Sequence, residues 1–255
     1  MQTASQASLK PPRLAPPVRT DLQEHMTRTY FTVRLGMVLI AFLLPPVLVI
    51  GGLIVERPPL VRPSMSDYYN GPALLGDVFV GALVAVGALL LLYKGFSAAE
   101  DRALNLAGAF AIGTALFPTG NPAHGWFAVL LFLCIAWVCW FRASDTKELI
   151  SNARDREWYE RTYKLLALLM GLLPVAAAVL AIMLFRSRVV LVVEWVAIWV
   201  FGAYWAVKSW EFHRTHADQR AAMGRLEIRS TLPSGGRVKQ ALGGALGRKS
   251  VVEVA

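Results

Sequence analysis

Long apolar stretches, separated by short groups of charged residues, dominate the pattern of this chain. Five stretches of 21, 16, 39, 21 and 19 residues contain one charged residue between them, Glu194. They lie at 35–55, 78–93, 103–141, 165–185 and 189–207. A helix that crosses a bilayer needs roughly 20 mostly apolar residues, and it satisfies every backbone polar group internally. The pattern therefore predicts membrane-spanning helices.

The third stretch is too long for one helix and contains a turn signal. Residues 118–122 read Pro-Thr-Gly-Asn-Pro, so the stretch is expected to divide into spans at 103–117 and 123–141. The fold class predicted is all-α, a polytopic transmembrane bundle of six helices within 29–212. A disordered leader at 1–28 and a flexible basic tail at 213–255 are expected to flank it.

Lysine and arginine predict the orientation of the bundle. With the N-terminus inside, 22 of the 26 Lys and Arg residues fall in cytoplasmic segments. The remaining four fall outside, namely Arg57, Arg62, Arg186 and Arg188. Both termini are therefore expected to be cytoplasmic.

Composition narrows the class of protein and its partners. The chain has 255 residues, of which 56% are hydrophobic and 17% charged, and its net charge is +9. A soluble domain, a disordered chain and a small disulfide scaffold are excluded. Membrane lipids are the expected partners of the positive charge. Nucleic acid is not expected, because the basic residues form no known binding module. Protein partners or a homo-oligomer stay open.

Ionisable side chains inside membrane spans usually have a function. Glu194 lies five residues into the last span, Asp77 opens the second helix and His124 opens the fourth. Ser66 lies in the loop before Asp77. The predicted topology places all four at the outer face, so we expect an outward-facing polar pocket there.

Each of these residues also has a structural interpretation. Asp77 would cap the second helix, and His124 would bond to the turn at Asn121. Glu194 would pair with Arg186 or Arg188, or bond in protonated form to a neighbouring helix.

Several segments resemble a family of uncharacterised bacterial multi-spanning membrane proteins. They read SMSDYY (64–69), GDVFVG (76–81), LYKG (92–95), NLAG (105–108), AIGTALFP (111–118) and FGAYWAVK (201–208). The resemblance covers about 29–210 and implies location in the bacterial inner membrane, without an established activity.

A more remote similarity is to the superfamily of alkaline ceramidases and progestin/adipoQ-type receptors. Its members hydrolyse lipid amides with a Ser, an Asp and three His around zinc, and Ser66, Asp77 and His124 would match part of that set. The superfamily has seven helices and a paired-histidine motif on the last one, where this chain offers Glu194.

Three functions follow from these observations. The first is a protein without chemistry of its own, acting in transport, sensing or assembly and needing no cofactor. The second is a metal-assisted hydrolase of lipid or amide substrates, with His124, Asp77 and Glu194 holding zinc. The third is a carrier in which Glu194 takes and releases a proton.

Overall fold

The computed structural model describes residues 21–58, 60–141, 149–150, 152–183 and 188–222, and these residues are almost entirely helical. The helices are α1 Asp21–Val55, α2 Ala73–Leu92, α3 Ala98–Leu116, α4 Pro122–Phe141, α5 Ala153–Met183, α6 Arg188–Thr215 and α7 Ala217–Ala222. A short 3-10 helix, Ser66–Asn70, lies between α1 and α2. The all-α class is confirmed for these ranges, in which no strand occurs.

Five helices are long and apolar enough to cross a membrane, namely α1, α2, α4, α5 and α6. Large apolar side chains point outward along them, and Leu43, Ile54, Leu172 and Ile182 are all more than half exposed. Such faces fit a protein embedded in lipid rather than one dissolved in water. The helix α3 is not among the five, because its first turns contain Glu100, Asp101 and Arg102.

The helices extend beyond the apolar stretches that predict them. Helix α1 already begins at Asp21, so the expected leader is helical over its last residues, while 1–20 lie outside the described ranges. Helix α6 continues to Thr215 and is followed by α7, where a flexible tail is expected from residue 213. Residues 223–255 lie outside the described ranges. Charged residues end an apolar stretch without ending a helix, since Lys, Arg and Glu are good helix formers.

The first six helices form a closed ring in chain order. Each packs against the next one along the chain, and α6 packs against α1. The last contact is close, since a Cβ at Gly202 of α6 would lie 3.0 Å from the Cβ of Ala41 on α1. Consecutive helices run antiparallel, so loops alternate between two ends of the bundle. We call them the loop end, which holds Ser66–Asn70, and the tail end, which holds Lys208 and α7.

Local sequence explains where several helices begin. Ser97 precedes α3 and accepts a hydrogen bond from the amide of Glu100 at 3.2 Å, which caps the helix. The side chain of Asn121 accepts one from the amide of Ala123 at 3.0 Å before α4. Between α6 and α7, His216 has a left-handed backbone with φ of 53°, which breaks the helix.

The closest approach between α2 and α3 gives a first prediction. A Cβ at Gly108 would lie 2.7 Å from the carbonyl oxygen of Gly87. Gly108→Leu is therefore expected to destabilise the bundle by about 1–3 kcal/mol, because the backbone of Gly87 cannot move aside as the end of a flexible side chain can. Gly81→Leu is the matched control on α2, since no atom lies within 4 Å of its Cβ position. Unfolding of purified protein in detergent measures both, and equal stabilities would contradict the packing.

Candidate functional site

The loop between α1 and α2 folds across the loop end of the bundle and is held by Arg62. Its guanidinium bonds to both carboxylate oxygens of Glu56, at 3.0 and 3.1 Å, and to the Asp67 carboxylate at 3.3 Å. Burial alone would lower the pKa of Arg62, but the hydrogen bonds and charge of Glu56 raise it on balance. Tyr68, within this loop, is fully buried, and burial raises the pKa of its hydroxyl.

Glu194 fastens the same loop to α6. One carboxylate oxygen accepts a hydrogen bond from the amide of Met65 at 2.6 Å, at the start of the 3-10 helix. Three residues earlier on α6, the amide of Leu191 donates to the carbonyl of Pro63 at 3.0 Å. Glu194, a functional candidate of the sequence analysis, therefore holds the loop in place through this hydrogen bond. Of the two arginines expected to pair with it, Arg186 lies outside the described residues.

The other three predicted site residues lie around this loop with separate partners. The Ser66 hydroxyl lies 3.2 Å from that of Ser64, and its carbonyl accepts from the Thr119 hydroxyl at 2.5 Å. His124 is buried, and its Nδ1 lies 2.9 Å from the carbonyl oxygen of Phe117. The histidine side chain thus contacts the end of α3 rather than Asn121, whose carbonyl bonds to the His124 amide.

Asp77 stands apart from the other predicted residues. Helix α2 begins four residues earlier and has Pro72 at its N-cap, so the expectation that Asp77 opens or caps this helix is wrong. Its side chain is exposed. On α2, the ring centre of Phe79 lies 6.4 Å from that of His124. Asp77 is two residues before Phe79, so its side chain points about 200° around the helix axis from that of Phe79. Ser66 and Glu194 thus meet through the loop, whereas Asp77 faces elsewhere.

Within the described ranges, no three His, Cys, Asp or Glu side chains come close enough to hold a metal ion. Zinc at His124, Asp77 and Glu194 therefore stays a prediction of the sequence and gains no support from geometry. Metal analysis of the purified protein is the measurement that decides it.

A second group of ionisable side chains, which sequence analysis missed, lies at the tail end. Four are at most 1% exposed: Arg34 of α1, Glu100 of α3, and Lys208 and Glu211 of α6. In the sequence each flanks an apolar stretch, where charges ordinarily reach water. The spacing of Lys208 and Glu211, three residues apart on one helix face, is the signal that could have marked them.

Arg34 joins this group to α7. Its guanidinium forms two parallel bonds to the Asp218 carboxylate, at 3.1 and 2.5 Å. It also lies 4.9 Å from the ring centre of Phe212 and 5.9 Å from that of Tyr93. Two-pronged Arg–carboxylate pairs of this kind are strong and geometrically specific. The pair therefore fixes the segment after α6 against the first helix.

Lys208, Glu211 and Tyr163 form the deeper part of the group. The Tyr163 hydroxyl donates a short hydrogen bond to the Glu211 carboxylate across α5 and α6. The Lys208 ammonium lies 4.7 Å from the ring centre of Phe212 and 5.5 Å from that of Tyr163. Such contacts compensate part of the cost of removing a cation from water.

Several buried donors beside this group have no hydrogen-bond partner within the described ranges, and two of them lie on adjacent residues of α6. They are the Tyr204 hydroxyl and the indole Nε1 of Trp205, on residues with 0% exposure. Their rings lie 5.0 Å apart. Leaving a buried polar group unsatisfied costs about 1–3 kcal/mol, so both donors favour an acceptor at this place.

The middle of the bundle separates the two ends. Buried side chains there are apolar, among them Ala41, Leu44, Val86, Ile135 and Val200. The buried polar side chains of the described ranges belong to one end or the other. No continuous polar path between the ends is therefore visible in this conformation of the described chain.

Comparison with known proteins adds no assignment, since no family model, curated protein or solved structure matches the chain. The two resemblances noted in the sequence stay predictions, and the functional argument rests on the residues themselves.

The hydrogen bond between Glu194 and the loop gives a second prediction. Glu194→Gln replaces a charged acceptor by a neutral one, so the bond to the Met65 amide weakens by about 1.4 kcal/mol. Amide hydrogen exchange in residues 63–68, measured by mass spectrometry, is expected to accelerate about tenfold. Glu160→Gln, which removes an equal charge from an exposed pair with Lys164, should leave this segment unchanged. Unchanged exchange in Glu194→Gln would refute the assignment.

A third prediction concerns the buried tyrosines. Tyr163→Phe removes the donor to Glu211 and is expected to lower the unfolding free energy in detergent by about 1.5–3 kcal/mol. Tyr204→Phe removes an equally buried hydroxyl that has no described partner and should cost less than about 0.5 kcal/mol. A loss of the same size in both variants would mean that the Tyr163 bond contributes nothing specific.

Proposed function

We propose that the chain is a six-span protein of the bacterial inner membrane with both termini in the cytoplasm. Helix α3 is the proposed sixth span. Its position favours this assignment, because it packs between α2 and α4 and completes the ring. Its 19 residues extend about 28 Å at 1.5 Å per residue, close to the thickness of the hydrocarbon core. The Lys and Arg distribution supports the orientation and makes the tail end the cytoplasmic one.

Reporter fusions test the orientation, which is the fourth prediction. Green fluorescent protein fused after residue 255 is expected to fluoresce, whereas alkaline phosphatase fused there should be inactive. A phosphatase inserted at Asn70, in the exposed part of the loop end, should be active. The opposite pattern would reverse the topology.

We propose further that this protein has no chemistry of its own and acts in sensing or assembly at its cytoplasmic end. The single observation that carries this is the buried pair of Arg34 and Asp218. It couples the interior of the bundle to α7, which leads directly into the basic residues 223–255. A ligand or partner that changes this pair would change the position of α7.

The apolar middle of the bundle favours sensing over transport, because a carrier must offer a polar path or rearrange. A proton-coupled carrier using Glu194 is the second candidate. The observation that favours it is the bond from Glu194 to the Met65 amide, since protonation of this carboxylate would weaken the closure of the loop end. The outward-facing pocket expected around Asp77, His124 and Glu194 would then form around His124 and Glu194 after the loop opens, without Asp77, which faces away from His124.

Two measurements test the sensing proposal against the carrier. Asp218→Asn should release α7, seen as faster hydrogen exchange in residues 217–222 with α1–α6 still protected. Asp155→Asn, which removes a carboxylate from a more exposed pair with Arg214, is the matched control. Exchange in 217–222 that stays as slow as in the wild type would refute the coupling.

The second measurement uses proteoliposomes that contain a pH-sensitive dye. The sensing proposal expects proton uptake no faster than in empty vesicles. Uptake that disappears in Glu194→Gln would instead establish the carrier.

A further inference from the structure

Two cavities lie on either side of Asp218 at the tail end. The larger has a volume of ≈ 330 Å³, between α1 and the end of α6, and the smaller ≈ 190 Å³, between α1 and the turn after α2. Both are lined by Thr27 and Asp218. Ligand sites in proteins usually occupy about 300–1,000 Å³, so the larger cavity suits a small polar group.

The charge of these cavities is unbalanced in favour of cations. Arg28 and Arg34 line the larger one and Lys94 lines the smaller, whereas Asp218 is the one acidic residue among the described residues that line either. Hydrogen-bond donors complete the larger cavity, including Thr32, His213 and Gln219. An anion is therefore the class of ligand that fits.

The ion pairs that Arg28 and Lys94 already form are weak, so their carboxylates compete little with such an anion for these two cations. Arg28 bonds to Glu24 at 2.6 Å, and Lys94 to Asp101 at 3.5 Å, with both cations more than half exposed. Exposed pairs of this kind contribute about 0–1 kcal/mol, so either cation can turn toward an anion in the cavity.

Arg34 is the anchor for which an anion would compete. It is 1% exposed, its two terminal nitrogens bind Asp218, and its Nε has no hydrogen-bond partner within the described ranges. A guanidinium held in this way matches phosphate as well as carboxylate. Asp218 itself belongs to a six-residue helix that follows the left-handed His216, so this carboxylate is held by a short segment.

Exposed apolar side chains beside the cavities favour a phospholipid as the source of the anion. Phe31 lines the larger cavity and Met26 the smaller, and both are over 40% exposed on the outer face of α1. A phospholipid would place its acyl chains along these residues with its headgroup in the cavity. Basic pockets at the cytoplasmic ends of membrane helices bind anionic headgroups in this manner.

We propose that the cavity beside Arg34 binds the phosphate headgroup of an anionic phospholipid, and that Asp218 competes with this headgroup for the guanidinium. This lipid site rests on the proposed sensing function only for its consequence, which is the effect of lipid binding on α7. Lipid binding would free α7, so the anionic lipid content of the inner leaflet would control the position of this helix.

Native mass spectrometry of the full chain in detergent tests the proposal with phosphatidylglycerol and phosphatidylcholine as probes. Phosphatidylglycerol is expected to bind at least about fivefold more tightly, the effect of one cation near a headgroup. Arg28→Gln should weaken this binding severalfold, and Asp218→Asn should strengthen it. Arg57→Gln, at the loop end, is the matched charge control and should change nothing.

Three results would overturn the proposal. Equal binding of both lipids would exclude a site that selects an anionic headgroup. An unchanged affinity in Arg28→Gln would place the site elsewhere, even if Asp218→Asn disturbs the local fold. Displacement of phosphatidylglycerol by an equal concentration of inorganic phosphate would show that a free anion is the ligand. None of these outcomes affects the hydrogen-exchange measurement on α7 or the reporter fusions. The proposed sensing function is therefore tested independently of the lipid site.

Discussion

The cost of placing charge in hydrocarbon organises this protein. An unpaired charge in the middle of a bilayer costs several kcal/mol, whereas a paired one near its surface costs far less. The buried arginine, lysine and glutamate side chains of the described chain accordingly collect at the tail end, where arginine meets carboxylate and lysine meets aromatic rings. The middle of the ring is left to apolar side chains and small residues, which allow helices such as α2 and α3 to approach closely.

The two ends solve the problem of exposed polar groups in different ways. At the loop end, Arg62 and Glu194 use their charges to hold backbone and carboxylates of a single loop, which closes the bundle. At the tail end, Arg34 uses its charge to hold a separate short helix. The first arrangement stabilises a fixed structure. The second pairs a buried cation with a carboxylate on a six-residue helix, and the sensing function that we propose rests on this pair.

The fold was largely predictable because its main signal is one-dimensional. Length and hydropathy of an apolar stretch report a spanning helix without knowledge of neighbours, and the Pro-rich turn at 118–122 divides α3 from α4 as expected. The ends of α1 and α6 were less predictable. Charged residues stop an apolar pattern, yet they continue a helix readily, so α6 runs eight residues beyond the last apolar stretch.

The candidate site was predictable only in part. Glu194 stood out because it interrupts an apolar stretch, and that interruption is visible in the sequence. Its partner was not, because Met65 lies 129 residues away and contributes a backbone amide, which every residue except proline carries. The orientation of Asp77 was not predictable either, because it depends on which face of α2 packs against His124, and Phe79 lies on that face.

The sequence by itself determined that this chain is helical, apolar along its spans and basic at its ends, since those properties depend on each segment alone. Only the tertiary structure decided which charges are buried. Arg34 and Asp218 are 184 residues apart and look like ordinary interfacial residues until α7 folds against α1. Whether a side chain is buried depends on the residues that surround it rather than on its type, and the packing of the helices into a ring determines those neighbours.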